Sequence, residues 1–336
     1  MQSSNSHIST KLGSPASNVF SKLSDNNLTT GVSLVVVLIF LSAVFASQAP
    51  SFLTPANFLN IGQTLATVGI VAIGMTMVLI AGGIDLSVGS TAALTGVTTA
   101  FVWTTFGLPL GVAVVVGMLC GVLVGVVNGF LITRININPL ITTLGMFSII
   151  RGLAFVISFG QTNQLNNEQF QFIGRGNIFG IPFSLLLMVA LYLIFGFILQ
   201  QTHFGRSLFA IGGSAEASRL SGIRINRNLM IVYIINSFLA ALAGIIIASQ
   251  LAVSAPRAAI GLELTVIAAV VLGGTSLSGG KGTLFGTLMG VIILRVLDNG
   301  LILMKVSSFY QDVASGVVLL LAVGFDQLRL RLGRRK

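Results

Sequence analysis

Chemistry in a protein needs acids, bases, nucleophiles or metal ligands held within reach of one another, and this chain carries few of them. Its 336 residues include two histidines, His7 and His203, one cysteine, Cys120, and eight carboxylates. Both histidines lie outside the apolar runs, so they do not form the ligand pair of an intramembrane metalloenzyme. Cys120 lies inside an apolar run, and a lone cysteine makes neither an intramolecular disulfide nor a metal-binding cluster. What remains is mostly uncharged polar chemistry. Asn60, Gln63, Thr64 and Thr67 stand at i, i+3, i+4 and i+7, on one face of a helix. Such a stripe can exchange hydrogen bonds with a neutral polyol without holding it tightly, or it can serve as hydrogen bonding between helices. Three charges fall in apolar surroundings: Arg151, and the pair Arg295 and Asp298, three apart on one helix. A charge at the centre of a bilayer costs roughly 2.5–3.5 kcal/mol on insertion scales, so structural pairing or a role in an external gate is expected of these three. No midplane carboxylate stands out as a proton or sodium coupling site.

Two glycine-rich segments need separate treatment. Leu277-Ser278-Gly279-Gly280-Lys281 resembles the Leu-Ser-Gly-Gly-Gln signature of transport ATPases and brushes against a phosphate loop. A phosphate loop requires Gly, four residues, then Gly-Lys-Ser/Thr, but Thr275 occupies the first glycine position and Gly282 replaces the hydroxyl residue. Apolar segments flank it on both sides, so it reads as a tight turn between two spans rather than a nucleotide site. It echoes Gly82-Gly83-Ile84-Asp85-Leu86-Ser87-Val88-Gly89, which matches residues 273–280 at five of eight positions. Asn128-Gly129 and Asn299-Gly300 add a fainter echo, and an internal duplication stays open. Glycines at 117, 121, 125 and 129, and again at 282, 286 and 290, let helix backbones approach closely, within one subunit or between two.

The elements that must position these groups follow from composition. Hydrophobic residues make up 54% of the chain and only 8% are charged, against about 25% charged in soluble domains. That excludes a soluble enzyme, a disulfide scaffold and a disordered tail, and the continuous apolar runs exclude a transmembrane β-barrel. The long polar lead, residues 1–30, argues for a retained first span rather than a cleaved signal peptide. We expect an all-α polytopic membrane protein of about ten helices, near 31–47, 58–80, 87–106, 109–132, 139–159, 181–200, 229–251, 263–278, 283–304 and 309–327. With both termini cytoplasmic, 13 of the 18 basic residues lie inside: Lys11, Lys22, Arg134, Arg206, Arg219, Arg224, Arg227, Lys281 and five in the tail at 328–336. The opposite orientation would invert that bias. The net charge of +10 is therefore a topology signal and not a nucleic-acid footprint, since no aromatic residues interleave the basic ones.

The domain expected at 31–327 then has one informative cytoplasmic loop, 201–228. Within Gly212-Gly213-Ser214-Ala215-Glu216-Ala217-Ser218-Arg219-Leu220-Ser221-Gly222, Ser214 is a helix N-cap, Glu216 lies in the first turn, Arg219 follows at i+3 and Gly222 supplies the stop. This short amphipathic helix is either a solvated connector or a docking knob for a cytoplasmic partner.

Gly82 to Gly89, Asn128-Gly129, the loop from Gly212-Gly213 to Gly222-Ile223, and Val271-Leu272-Gly273-Gly274 to Gly282 together resemble the ribose-type sugar permease family, the membrane subunits of bacterial ABC importers. The resemblance spans about residues 50–325. It implies a multi-pass protein of the bacterial cytoplasmic membrane, paired with a second copy or a paralogue. Inside it would bind ABC ATPase subunits that carry the ATP and magnesium, with no cofactor in this chain, and outside a sugar-binding protein. Glu216-Ala217-Ser218 with Gly222 is similar to the Glu-Ala-Ala, three residues, Gly element by which importer permeases dock their ATPases, with Ser218 departing from the second alanine. An ion-coupled secondary transporter is the rival reading, supported by polytopic architecture alone.

Overall fold

The computed structural model describes residues 15–307 together with 309–311, 313, 314, 316, 317, 320 and 324, and side chains among these from Val32 onward. Twelve helices run α1 (Pro15–Gln48), α2 (Pro55–Ile80), α3 (Val88–Thr105), α4 (Leu110–Thr133), α5 (Pro139–Ser158), α6 (Glu168–Arg175), α7 (Phe183–Gln201), α8 (His203–Gly213), α9 (Ala215–Leu220), α10 (Ile225–Leu251), α11 (Leu262–Leu272) and α12 (Leu284–Leu303). Four two-residue strands, β1 (Asn163–Gln164), β2 (Asn177–Ile178), β3 (Ile181–Pro182) and β4 (Val253–Ser254), pair as β1 with β4 and β2 with β3. Among the described residues, six helices are long and apolar enough to cross a membrane: α2, α4, α5, α7, α10 and α12. The expected tenth span falls largely outside the described residues, as do residues 1–14 and the basic tail.

Local sequence sets the boundaries. Thr54, Asn138, Thr202 and Thr283 cap α2, α5, α8 and α12 by accepting a hydrogen bond from a first-turn amide, and Pro55 and Pro139 open their helices with φ already set. Two helices end alike. In α2 the Gly82 and Gly83 amides donate to Leu79 and Val78, and in α11 the Gly274 and Thr275 amides donate to Val271 and Val270. Both are Schellman stops with a glycine at positive φ, +82° and +89°. The two turns thus correspond structurally one residue out of step with the letter match. The stop at Gly274 corrects one boundary: α11 ends at Leu272 instead of continuing to 278, and its 11 residues span about 16 Å, half a bilayer core.

Helix α2 is the hub, buried along most of its length and ringed by α7, α10, α11 and α12. On the far side of α10 pack α3 and α4, with α5 against α3, while α1 lies along α12. The glycine stripes make these contacts within one chain. A methyl on Gly121 would meet Ala241, one on Gly125 would meet Ile234 and Tyr233, and one on Gly129 would meet Met230, all on α10. Gly286 and Gly290 of α12 likewise lie on the Gly273 and Ala269 carbonyls of α11.

The connections sort into two clusters at opposite ends of the helices. At one end β1–β4 pairing joins the loop after α5 to the loop after α10, and Asn57 and Asn299 exchange side-chain hydrogen bonds of 2.9 and 2.8 Å. At the other end the turn 81–87, the α8–α9 segment and the turn 273–283 meet.

Candidate functional site

The loop expected to carry a docking helix holds two helices rather than one. α8, absent from the sequence expectation, buries Leu208 and Ile211 against the bundle and ends at Gly213. Ser214 then caps α9, its hydroxyl accepting from the Ala217 amide at 3.2 Å. Glu216 and Arg219 form the i, i+3 ion pair at 2.7 Å on an exposed face, with Leu220 79% exposed beside them. Ser218 is the residue of α9 that turns inward, which accounts for the need for a small side chain there. Gly222, at φ +80°, ends the helix. The result is a small knob carrying Ala215, Glu216, Ala217, Arg219 and Leu220 outward from the bundle.

The knob is bracketed by one receiver, the turn from Ile80 to Ser87. On the entry side, the Gly280 amide donates to the Ile80 carbonyl at 2.8 Å, and Gly212 lies against both. On the exit side, Tyr233 and Asn236 of α10 reach the same turn: the Tyr233 hydroxyl donates to the Ile84 carbonyl, and the Asn236 amide donates to Asp85 at 2.8 Å. Asp85 is fully buried and also accepts from the Ser87 amide at 2.8 Å and the Ser87 hydroxyl at 2.6 Å. Asn128 of α4 donates to that hydroxyl at 2.9 Å, and Thr143 of α5 donates to Ile84. Burial pushes the Asp85 carboxyl above the usual carboxylate range, against the pull of the Ser87 and Asn236 donors. This knot ties α2, α3, α4, α5 and α10 to one turn. Sequence reading did not assign it; its signal was that Asp85 is the sole acid between Asp25 and Glu168.

At the opposite end of α2, the polar stripe is split. Asn60 and Thr64 are exposed, Gln63 is half-buried and Thr67 is buried. The two threonine hydroxyls are spent on carbonyls of their own helix, and the Gln63 carbonyl accepts from Gln250 of α10 at 3.0 Å. The amides of Asn60 and Gln63 make no interhelical bond in these contacts, so the stripe keeps donors and acceptors facing outward at its upper end.

Arg151 points from α5 into the loop after α10, donating to the Pro256 and Ala258 carbonyls at 2.7 Å each, with its guanidinium 5.9 Å from the Phe147 ring centre. Arg295 and Asp298 pair at 3.0 Å along α12. All three expected charges therefore have structural partners. They are not brought together with the stripe or the knob. Among the described residues no group of three metal-ligating side chains assembles.

A bundle of apolar helices, with an exposed capped knob at one end and uncharged polar groups at the other, is the architecture of a polytopic membrane protein. The comparisons with known proteins make this specific. Residues 57–323 match the family described as branched-chain amino acid transport system / permease component, and the chain belongs to that family. It is 42% identical over 306 residues to the L-arabinose transport system permease protein AraH of Escherichia coli K12, covering 90% of this chain and 92% of that protein. To the ribose import permease protein RbsC of Bacillus subtilis it is 44% identical over 292 residues, covering 86% and 90%. The ribose import permease protein RbsC of Escherichia coli K12 is 41% identical over 298 residues. No solved structure matches. The chain is thus a multi-pass permease of the bacterial inner membrane and the membrane-spanning component of an ABC importer, rather than an ion-coupled secondary transporter.

Proposed function

We propose that this chain forms the translocation pathway of an ATP-driven importer for ribose, arabinose or a related monosaccharide. A sugar-binding protein delivers the substrate outside, and ATPase subunits dock on α9 inside. The observation that carries the reading is the exposed, capped α9 with its Glu216–Arg219 pair, in a chain over 40% identical to pentose permeases. In this reading the chain crosses the membrane ten times, the α9 end and both termini are cytoplasmic, and a second copy or a paralogue completes the pathway. Alternating access follows from a two-state rocking of the helices, biased inside by nucleotide and outside by the loaded binding protein. The Asn60 to Thr67 face lines the polar conduit. Its uncharged groups suit a polyol that must be released as readily as it enters.

The test is purification of the permease in nanodiscs with its copurifying partners, followed by ATPase and uptake assays with binding proteins loaded with D-ribose or L-arabinose. Copurification of an ATPase that the loaded binding protein stimulates is the expected result. Uptake into liposomes containing the permease alone would overturn the reading.

A further inference from the structure

Two glycine turns and the glycine end of α8 meet backbone to backbone. A Cβ on Gly212 would collide with the Ile80 carbonyl oxygen and stand 2.5 Å from the Gly280 amide nitrogen. One on Gly279 would stand 2.8 Å from the Gly212 oxygen and 3.0 Å from the Gly82 Cα, and one on Gly280 would stand 3.0 Å from Gly213. The contact is fixed by the hydrogen bond from Gly280 to Ile80, 2.8 Å long. Backbone held directly on backbone has no rotamer to change, so in a close-packed interior it transmits a displacement with little loss. The C-terminal residue of α2 is therefore gripped by the helix that leads into the knob and by the turn that leads into α12. At the opposite end of that same α2 lies the Asn60 to Thr67 stripe.

We propose that Gly212 and Gly280 are positioning residues for conduit opening: their backbones form a rigid joint that makes the α8–α9 segment, α2 and the α11–α12 turn move as one body. The proposal rests on the docking of ATPases at α9. It gives the motion of α9 a defined route along α2 from Ile80 to the stripe at Asn60 to Thr67. It also explains why glycine is needed at Gly212. That residue lies in a helix at ordinary φ, where alanine would be favoured on propensity and is opposed by the collisions with Ile80 and Gly280.

A matched pair of substitutions tests the joint. Gly212→Ala drives a methyl into the contact, whereas a methyl on its neighbour Gly213 meets nothing within 4 Å. Each variant is assembled with its ATPase and its binding protein in nanodiscs, with D-ribose or L-arabinose as the probe. Gly212→Ala is expected to retain copurifying ATPase and basal hydrolysis within about twofold while stimulated hydrolysis and uptake fall about tenfold or more. Gly213→Ala should stay within about twofold of wild type on every measure. If Gly212→Ala does not yield a monodisperse protein, Gly280→Ala adds a milder clash to the strain of its φ of +71°, with Gly107→Ala, at φ +64° and nothing within 4 Å, as the control for that strain; an uptake loss of about threefold or more in Gly280→Ala but not in Gly107→Ala, with ATPase still bound, supports the joint. Wild-type uptake in either joint variant, equal impairment of Gly212→Ala and Gly213→Ala, or loss of the bound ATPase from Gly212→Ala would overturn it. A wild-type permease that recruits no ATPase would instead refute the docking reading, and the joint with it.

Discussion

Removing the Asp85 carboxylate tests whether the buried knot holds the receiver turn together. In Asp85→Ala, three buried donors lose their acceptor: the Ser87 amide, the Ser87 hydroxyl and the Asn236 side-chain amide. Each orphaned donor costs about 1–3 kcal/mol, and relief from burying a carboxylate returns part of the sum, for a net loss of about 2–4 kcal/mol. Asp85→Asn is the informative contrast. Its carbonyl can keep both Ser87 bonds, and its new amide faces Asn236, whose Oδ1 has no hydrogen-bond partner and can accept after a flip of that side chain. The expected loss is then about 0–1 kcal/mol. The pH dependence supplies a second signature. Because burial raises the Asp85 pKa, the folded state binds the proton more tightly than the unfolded chain. Its contribution to stability is fully present below the unfolded value of about 4 and is lost as pH rises through the raised folded value. Asp85→Asn should abolish that component. Thermal unfolding in detergent, followed by dye labelling of the single cysteine Cys120, reads both effects. A melting curve for Asp85→Ala that superimposes on wild type, or an Asp85→Asn variant less stable than Asp85→Ala, would refute the account of the knot.

Three further outcomes are expected. Gly125→Ala, whose methyl would stand 2.8 Å from the Ile234 Cα, should cost about 1–3 kcal/mol by overpacking, while Gly152→Ala, with nothing within 4 Å, should be neutral in the same melt. In a Cys120→Ser background, cysteines at the exposed Asn60 and Thr64 should react with hydrophilic thiol reagents, and a cysteine at the buried Thr67 should react appreciably only during turnover; if none of the stripe positions reacts, it does not line the conduit. Charge reversal of both Glu216 and Arg219 should leave the melt unchanged, because the swapped pair can re-form on the exposed face, yet abolish stimulation of the ATPase.

Features set by neighbours along the chain were legible in the sequence. The Ser214 cap, the Glu216–Arg219 pair, the Gly222 stop and the Arg295–Asp298 pair depend on spacing within one or two helical turns, and each stands as the spacing required. Among the described residues, apolar runs located the helices within a few residues, except where α1 begins at Pro15 instead of 31 and where a glycine stop cut α11 short. What escaped was set by distance. Asn236 reaches Asp85 across 151 positions, and nothing in its own segment distinguishes it from a polar residue bonding along its helix. The meeting of Gly82, Gly212 and Gly279 escaped for the same reason: the sequence marks turns at Gly82 and Gly279 and a loop at Gly212, but contact between them belongs to the packing of the bundle. α8 was missed because its glycines and polar residues weaken the apolar signal, although Leu208 and Ile211 bury one face.

The hub position of α2 bears on how the protein is made. It is synthesised before α7, α10, α11 and α12, the helices that finally enclose it. Thr76, fully buried in the finished bundle, shares a hydrogen bond of 2.7 Å with Thr287, 211 residues further along. At ribosomal speeds of about 5–20 residues per second, that partner arrives roughly 10–40 s later. Meanwhile α2 must wait in lipid, and its sequence is fitted to do so: it is long and apolar enough to cross a membrane, and the Thr76 hydroxyl already donates to the Ala72 carbonyl of its own helix at 2.6 Å. The hydrophobicity of the innermost helix is thus demanded by the order of its birth as much as by its final burial.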